Sequence, residues 1–164
     1  MILTVKSLIK NLNKNKILFY GYGNPGRQDD GLGVFFIDEL IKYIKKNRLK
    51  NIYFDTNYQL NIEDALEISK YDSVIFIDAA KKIKKSFNFK KIKPLEINFY
   101  TTHNMLPENI LFLCIKLYDK KPDAYLLTIK GYKWGVNEKP TEKALKNLKN
   151  ALIYIKKLIK ILYK

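Results

Sequence analysis

Apolar residues along this chain occur in short, nearly continuous runs that are separated by longer stretches with helical spacing. Nearly continuous apolar runs indicate strands that are covered on both faces. Such strands are predicted at residues 16–20, 51–55, 73–78 and 123–129. Apolar positions three and four residues apart indicate amphipathic helices. Such helices are predicted at residues 30–46, 61–69 and 107–118, and after a cap at Thr141, with inward-facing positions from Leu145 to Leu162.

The order of these elements predicts the fold class. Strands alternate with helices along the chain, which favours an α/β fold with a mostly parallel, twisted central sheet flanked by helices, a three-layer sandwich. Residues 87–101 add one or two further strands interrupted by Pro94. With 164 residues the chain suits one domain, 1–164. Residues 1–15 space apolar side chains at helical intervals, which predicts an extra N-terminal helix or a docked arm.

Charge and composition exclude several classes of function. The formal net charge is +15, from 31 Lys and Arg against 16 Asp and Glu. Because the lysines are spread through most segments, we interpret them as solvated surface and expect no nucleic-acid partner, although clusters at 81–93 and 156–164 could attract an acidic protein. The absence of an apolar run near the roughly 20 residues of a membrane helix predicts a cytoplasmic protein without membrane insertion. Cys114 is the single cysteine, so no disulfide forms within the chain.

A cluster of glycines follows the first predicted strand. Five of the seven glycines lie between Gly21 and Gly33. Glycine is favoured where the backbone needs positive φ or close approach, so this cluster predicts a loop of special geometry. The loop contains Asp29 and Asp30, directly before a predicted helix.

Side chains that can bind metals follow three of the predicted extended segments. Asp29 and Asp30 follow the first strand, Asp78 ends the third, and His103 follows the segment after it. Functional groups in open α/β sheets gather at the carboxyl ends of the strands. Two carboxylates and an imidazole suit nickel, zinc or a similar ion with open coordination positions. Each residue also has a structural interpretation: a helix cap for Asp29 or Asp30, a hydrogen-bond acceptor for Asp78, and a hydrogen-bonded structural residue for His103.

The same residues resemble a known family, the endopeptidases that mature nickel-containing hydrogenases by trimming the C-terminal extension of the large subunit. Residues 21–34, which read Gly-Tyr-Gly-Asn-Pro-Gly-Arg-Gln-Asp-Asp-Gly-Leu-Gly-Val, are similar to the glycine-asparagine turn and Asp-Asp-Gly of that family. Residues 74–79, Val-Ile-Phe-Ile-Asp-Ala, are similar to its strand ending in Asp-Ala, and His103 stands like its histidine before a helix. The resemblance covers about residues 16–155. The lysine-rich segment 81–93 departs from it, which leaves the choice of precursor open.

This resemblance implies an activity and a set of site residues. Asp30, Asp78 and His103 would contact a metal, while Asn24 and Asp29 would shape the loop. The metal would be nickel that arrives in the substrate, a hydrogenase large-subunit precursor, and other divalent ions are expected to substitute in vitro. A water activated by Asp30, or by Asp29 beside it, would then hydrolyse the peptide bond after nickel insertion.

Two other functions remain open from the sequence. Gly21, Gly23 and Gly26 have the spacing of a dinucleotide-binding loop after a strand, which would make the chain a Rossmann-like protein that binds NAD. The carboxylates of Asp29 and Asp30 argue against it, because they would lie where a pyrophosphate should bind. The basic segments would alternatively suit a non-cleaving binding module for an acidic partner.

Overall fold

A computed structural model describes residues 16–97 and 105–162 of the chain. Within these residues the chain forms five strands and four α-helices. The strands are β1 (Ile17–Tyr22), β2 (Ile52–Asn57), β3 (Ser73–Ala80), β4 (Phe87–Lys91) and β5 (Asp123–Lys130). The helices are α1 (Leu32–Lys46), α2 (Asp64–Ile68), α3 (Pro107–Tyr118) and α4 (Glu142–Leu162). The elements fall close to their predicted positions.

The strands form one mostly parallel sheet. Its order is β2-β1-β3-β5-β4. β1 pairs in parallel with β2 and β3, and β3 pairs in parallel with β5, while β4 runs antiparallel at the edge. The parallel pairing of β1 with β3 places Gly21 beside Ile77, so the two strands end at the same edge of the sheet. That edge is where the predicted site residues follow their strands.

Helices cover both faces of the sheet, which confirms the predicted α/β sandwich. Successive side chains of a strand point to opposite faces. In β1, Ile17 and Phe19 therefore join a buried cluster with α1 and α4, whereas Leu18 and Tyr20 join a second cluster with α2 and α3. Cys114 is fully buried in the second cluster.

Several predicted boundaries differ from the observed ones for identifiable reasons. Residues 28–31 form a 3₁₀ turn, so α1 begins at Leu32 and neither Asp29 nor Asp30 is its N-cap residue. β4 ends at Lys91, ahead of Pro94, which cannot donate a ladder hydrogen bond. Leu145 was predicted to face inward, but it is 45% exposed. The predicted N-terminal helix or arm at 1–15 lies outside the described residues.

The helices of the described residues also bear on membrane insertion. Over 16–97 and 105–162, none combines the length and the apolar character that a bilayer crossing would need.

Candidate functional site

An open pocket lies at the carboxyl edge of the sheet, beside the ends of β1 and β3. Its volume is about 470 Å³. The lining residues come from the glycine loop, from the segment after β2, from the end of β3 and from the start of α3: Tyr22, Gly23, Asn24, Arg27, Asp30, Tyr58, Gln59, Leu60, Asp78, Ala79, Met105 and Leu106. Among the described residues, Asp30 and Asp78 are its acidic side chains and Arg27 is its basic one. With both aspartates ionised, the described lining carries one more negative than positive charge, on a protein that is otherwise strongly basic.

Glycines at both ends of the loop allow it to fold tightly over the strand ends. A Cβ atom on Gly33 would lie 2.4 Å from the carbonyl oxygen of Tyr22 and 2.5 Å from that of Ile77. Helix α1 therefore begins directly against β1 and β3. Gly23 has φ of +128°, a conformation that L side chains rarely adopt, and its missing Cβ would meet the Asp30 carbonyl oxygen at 2.0 Å. These close approaches bring Asp30 back over the end of β1.

The carboxylate of Asp29 is fully buried and points away from the pocket. Its Oδ2 atom accepts hydrogen bonds from the backbone N–H of Tyr132 at 2.8 Å, from the N–H of Lys133 at 3.1 Å and from the Thr141 hydroxyl at 2.9 Å. Its Oδ1 atom accepts one from the Thr141 N–H at 2.7 Å. Asp29 is absent from the residues that line the pocket. It therefore ties the glycine loop to the segment before α4.

The carboxylate of Asp30 lies at the pocket wall, half-buried. Its Oδ2 atom accepts a hydrogen bond from the Asn24 N–H at 3.2 Å, and its Oδ1 atom accepts one from the Trp134 indole N–H at 2.8 Å. A carboxylate oxygen has two acceptor sites, so each oxygen keeps one for a metal ion or a water molecule. Of the two adjacent aspartates, Asp30 is the one that can react with a group in the pocket.

Asp78 ends the apolar run of β3 and lines the same pocket. Its Oδ1 atom accepts a hydrogen bond from the Ala79 N–H at 2.7 Å. Burial raises the pKa of Asp78 to about 6, an effect that the Ala79 N–H and the Tyr22 hydroxyl partly oppose and the negative charge of Asp30 increases. At neutral pH Asp78 is mostly ionised, and it can then accept a proton or bind a cation.

The structure brings together two of the three predicted metal-contacting residues, Asp30 and Asp78. The third, His103, lies outside the described residues. Over 16–97 and 105–162, no group of three or more His, Cys, Asp and Glu side chains is arranged to hold a metal ion. The described residues therefore supply two carboxylate ligands. A set of three ligands would need a third side chain from outside the described residues.

The loop geometry argues against the dinucleotide hypothesis. A glycine-rich phosphate loop uses free backbone N–H groups to bind the pyrophosphate. Here the N–H of Asn24 already donates to the Asp30 carboxylate, so negative charge occupies the position where the anion should lie.

The comparisons with known proteins concern the fold. No protein-family model matches the chain, and no curated protein matches it. Among solved structures, the NiFe hydrogenase maturation protease HycI from Thermococcus kodakarensis KOD1 superposes with a TM-score of 0.70 at 20% identity, covering 94% of this chain and 99% of that one. HybD from Thermococcus kodakarensis gives 0.64 at 16% identity, covering 87% and 98%. The hydrogenase maturating endopeptidase HybD from E. coli gives 0.61 at 15%, covering 85% and 89%.

The chain has the fold of the hydrogenase maturation proteases. The fold that the sequence resemblance implied is therefore confirmed, and the structural match extends over nearly the whole chain. Within this maturation-protease fold, the pocket of Asp30 and Asp78 lies where parallel α/β sheets place their functional groups.

Sequence reasoning assigned no role to two side chains that contact the site carboxylates. Trp134 donates to Asp30, and Tyr22 is hydrogen-bonded to Asp78. Burial and the negative charge of Asp78 raise the pKa of Tyr22 well above its usual value, which keeps its hydroxyl protonated as a donor. Tyr22 follows the apolar run of β1, and Trp134 lies in an irregular segment. Neither position has a sequence pattern that predicts a contact.

Proposed function

We propose that this protein is an endopeptidase that removes the C-terminal extension from the large-subunit precursor of a nickel-containing hydrogenase after nickel has been inserted. The observation that supports it most directly is the convergence of Asp30 and Asp78 on one open pocket. The maturation-protease fold supports the same proposal.

Nickel enters this proposal as part of the substrate. Asp30 and Asp78, with His103 as the third ligand, would contact the nickel centre of the precursor and thereby hold the scissile peptide in the pocket. Carboxylate oxygen and imidazole nitrogen are ligand types that nickel accepts. Nickel recognition would then act by positioning, because a bound substrate reacts faster than one that must collide in the right orientation.

The hydrolytic step needs a base for water, and burial argues against one of the two candidates, Asp29. The Asp29 carboxylate is fully buried and accepts four hydrogen bonds, so it has no access to a water molecule in the pocket. We therefore assign Asp30 as the base. A water molecule gives its proton to Asp30 as its oxygen bonds to the peptide carbonyl carbon. The C–N bond then breaks, and the leaving amine takes up the proton.

The pocket mouth supplies groups that suit a peptide. Tyr58 is 69% exposed and Leu106 is 45% exposed, although both line the pocket. Exposed apolar side chains beside a polar site are common where a partner chain binds. We expect the peptide that links the precursor to its extension to contact them.

Incubating the purified protein with nickel-loaded and nickel-free precursor tests the proposal. Mass spectrometry of the precursor would show a shortened C-terminus only in the nickel-loaded sample. Equal cleavage of both samples would overturn nickel recognition, and cleavage of neither would overturn the protease assignment. Asp30→Asn should abolish cleavage, whereas the matched control Asp38→Asn, an exposed aspartate on α1, should leave it unchanged.

A further inference from the structure

Trp134 and Asp30 are in direct contact although they are 104 positions apart in the chain. The indole N–H donates to Asp30 Oδ1 at 2.8 Å. Trp134 is half-buried and does not line the pocket. Its influence on the pocket therefore passes through the Asp30 carboxylate.

The indole ring is held in place from two further sides. A Cβ atom on Gly131 would lie 2.7 Å from the ring, so the ring packs against the backbone that leaves β5. The Nζ atom of Lys81 lies 4.6 Å from the ring centroid, a distance at which an ammonium is attracted to an aromatic face. Lys81 directly follows β3, the strand that supplies Asp78. The ring therefore connects the segments that follow β3 and β5 with the glycine loop.

Hydrogen bonds attach the segment that contains Trp134 to the glycine loop, which also carries Asp30. Asp29 accepts the backbone N–H groups of Tyr132 and Lys133. The Gln28 side-chain oxygen accepts the N–H of Gly135 at 3.0 Å. Fixed points on both sides of Trp134 thus limit the movement of its indole relative to Asp30.

We propose that Trp134 is a positioning residue that fixes the orientation of the Asp30 carboxylate. An unrestrained aspartate carboxylate rotates about its side-chain bonds. Here one N–H donor on each oxygen, Asn24 on Oδ2 and Trp134 on Oδ1, fixes the plane of the group and leaves one acceptor site per oxygen directed elsewhere. Such preorganisation lowers the cost of reaching the reactive geometry. This inference rests on the proposed function, in which Asp30 is the reacting group.

Trp134→Phe removes the N–H donor and keeps an aromatic ring. With nickel-loaded precursor we expect kcat to fall about tenfold or more with KM little changed, since a hydrogen bond to a charged group is lost while the substrate contacts remain. The matched control is Tyr132→Phe in the same segment, whose hydroxyl contacts Asn147 and not Asp30. It should keep the wild-type kcat. An unchanged kcat in Trp134→Phe, or an equal fall in both variants, would overturn the inference.

A spectroscopic measurement tests the contact without any substrate. Trp134 is the single tryptophan of the chain, so a ¹H–¹⁵N NMR spectrum contains one indole N–H signal. Asp30→Ala should move that signal to higher field, because its charged acceptor is gone, while Asp38→Ala should leave it in place. A signal that stays fixed in Asp30→Ala would contradict the contact.

Failure of this inference can be told apart from failure of the proposed function. If the wild-type protein cleaves no precursor, the proposed function fails, and the ¹³C NMR signal of the Asp30 carboxylate decides the inference alone. The signal should shift in Trp134→Phe and keep its wild-type position in Tyr132→Phe. The same position in both variants would overturn the inference.

Discussion

The carboxylate of Asp29 accepts hydrogen bonds from both the backbone N–H and the hydroxyl of Thr141, at 2.7 and 2.9 Å. The Thr141 hydroxyl in turn accepts the N–H of Ala144 at 3.2 Å, which is the hydrogen bond of a helix N-cap. Asp29 therefore stabilises the start of α4 while its neighbour Asp30 faces the pocket. The two adjacent aspartates thus have different structural roles, one buried against the start of α4 and one at the pocket wall.

Replacing each aspartate by alanine should separate these roles. Asp29→Ala should lower the free energy of unfolding by about 3 kcal/mol, because four donors lose a buried charged acceptor. Asp30→Ala should lower it by less than about 1 kcal/mol, because its donors are nearer to solvent. Urea denaturation at neutral pH measures both values, with the exposed Asp38→Ala as the control. Equal losses for Asp29→Ala and Asp30→Ala would contradict this division.

The raised pKa of Asp78 predicts a pH-dependent stability. Because the folded protein binds this proton more tightly than the unfolded chain, the favourable contribution of Asp78 is fully present below pH about 4 and is lost as the pH rises through about 6. Asp78→Asn lacks this titration. The variant should exceed the wild type in free energy of unfolding by up to about 3 kcal/mol at pH 7.5, and by much less at pH 4.

Urea denaturation at several pH values between 4 and 7.5 provides this comparison. The side-chain amide introduced by Asp78→Asn can still accept the N–H of Ala79, so the substitution mainly removes the charge. A constant difference between the two proteins across this range would show that Asp78 titrates at its usual pKa.

The close approach of Gly33 to two strand ends predicts that a methyl group is poorly tolerated there. Gly33→Ala would place Cβ 2.4 and 2.5 Å from backbone carbonyl oxygens, which cannot move aside as a side chain could. We expect a loss of stability of about 2 kcal/mol or more. Gly26→Ala in the same loop is the matched control, because its Cβ would come only within 3.2 Å of the Asn24 side chain. Thermal melting of the two variants decides: similar melting temperatures would refute the tight contact.

His103 is the predicted third ligand. A small molecule should restore part of the cleavage rate that is lost when its side chain is removed. His103→Ala should reduce cleavage of nickel-loaded precursor by about a hundredfold or more, since a direct ligand matters at least as much as the groups that orient it. Imidazole added at millimolar concentration should restore part of the rate, because it supplies the missing nitrogen ligand. Unimpaired cleavage by His103→Ala would remove this residue from the site.

Local patterns were sufficient to predict the sheet and most helices. The continuous apolar run at 73–78 predicted β3, and Pro107 with the apolar spacing behind it predicted α3 at its observed limits. The resemblance also selected Asp30 and Asp78, which the structure places at one pocket. The start of α1 was wrong by two residues. It depends on the 3₁₀ turn at 28–31, and that turn is held by contacts to residues 132–141, which no local pattern reveals.

The remaining site contacts were not predictable for a related reason. Trp134 has no helical or strand periodicity around it, and its hydrogen bond to Asp30 exists only because the folded chain brings distant segments together. Sequence separation conceals such a contact, whereas strand ends on one sheet edge can be anticipated from topology. Asp29 illustrates the same limit: it was the second candidate for the base, after Asp30, and nothing in the local sequence indicates its buried hydrogen bonds to Thr141.

The fastening of Asp29 to Thr141 has a consequence for biosynthesis. The two residues are 112 positions apart, so the glycine loop leaves the ribosome long before its partner does. A nascent chain that stops short of Thr141 lacks two of the four donors to the Asp29 carboxylate, and one that stops short of Tyr132 lacks all four and the indole of Trp134. The glycine loop therefore completes its hydrogen bonds only after translation has passed the start of the last helix.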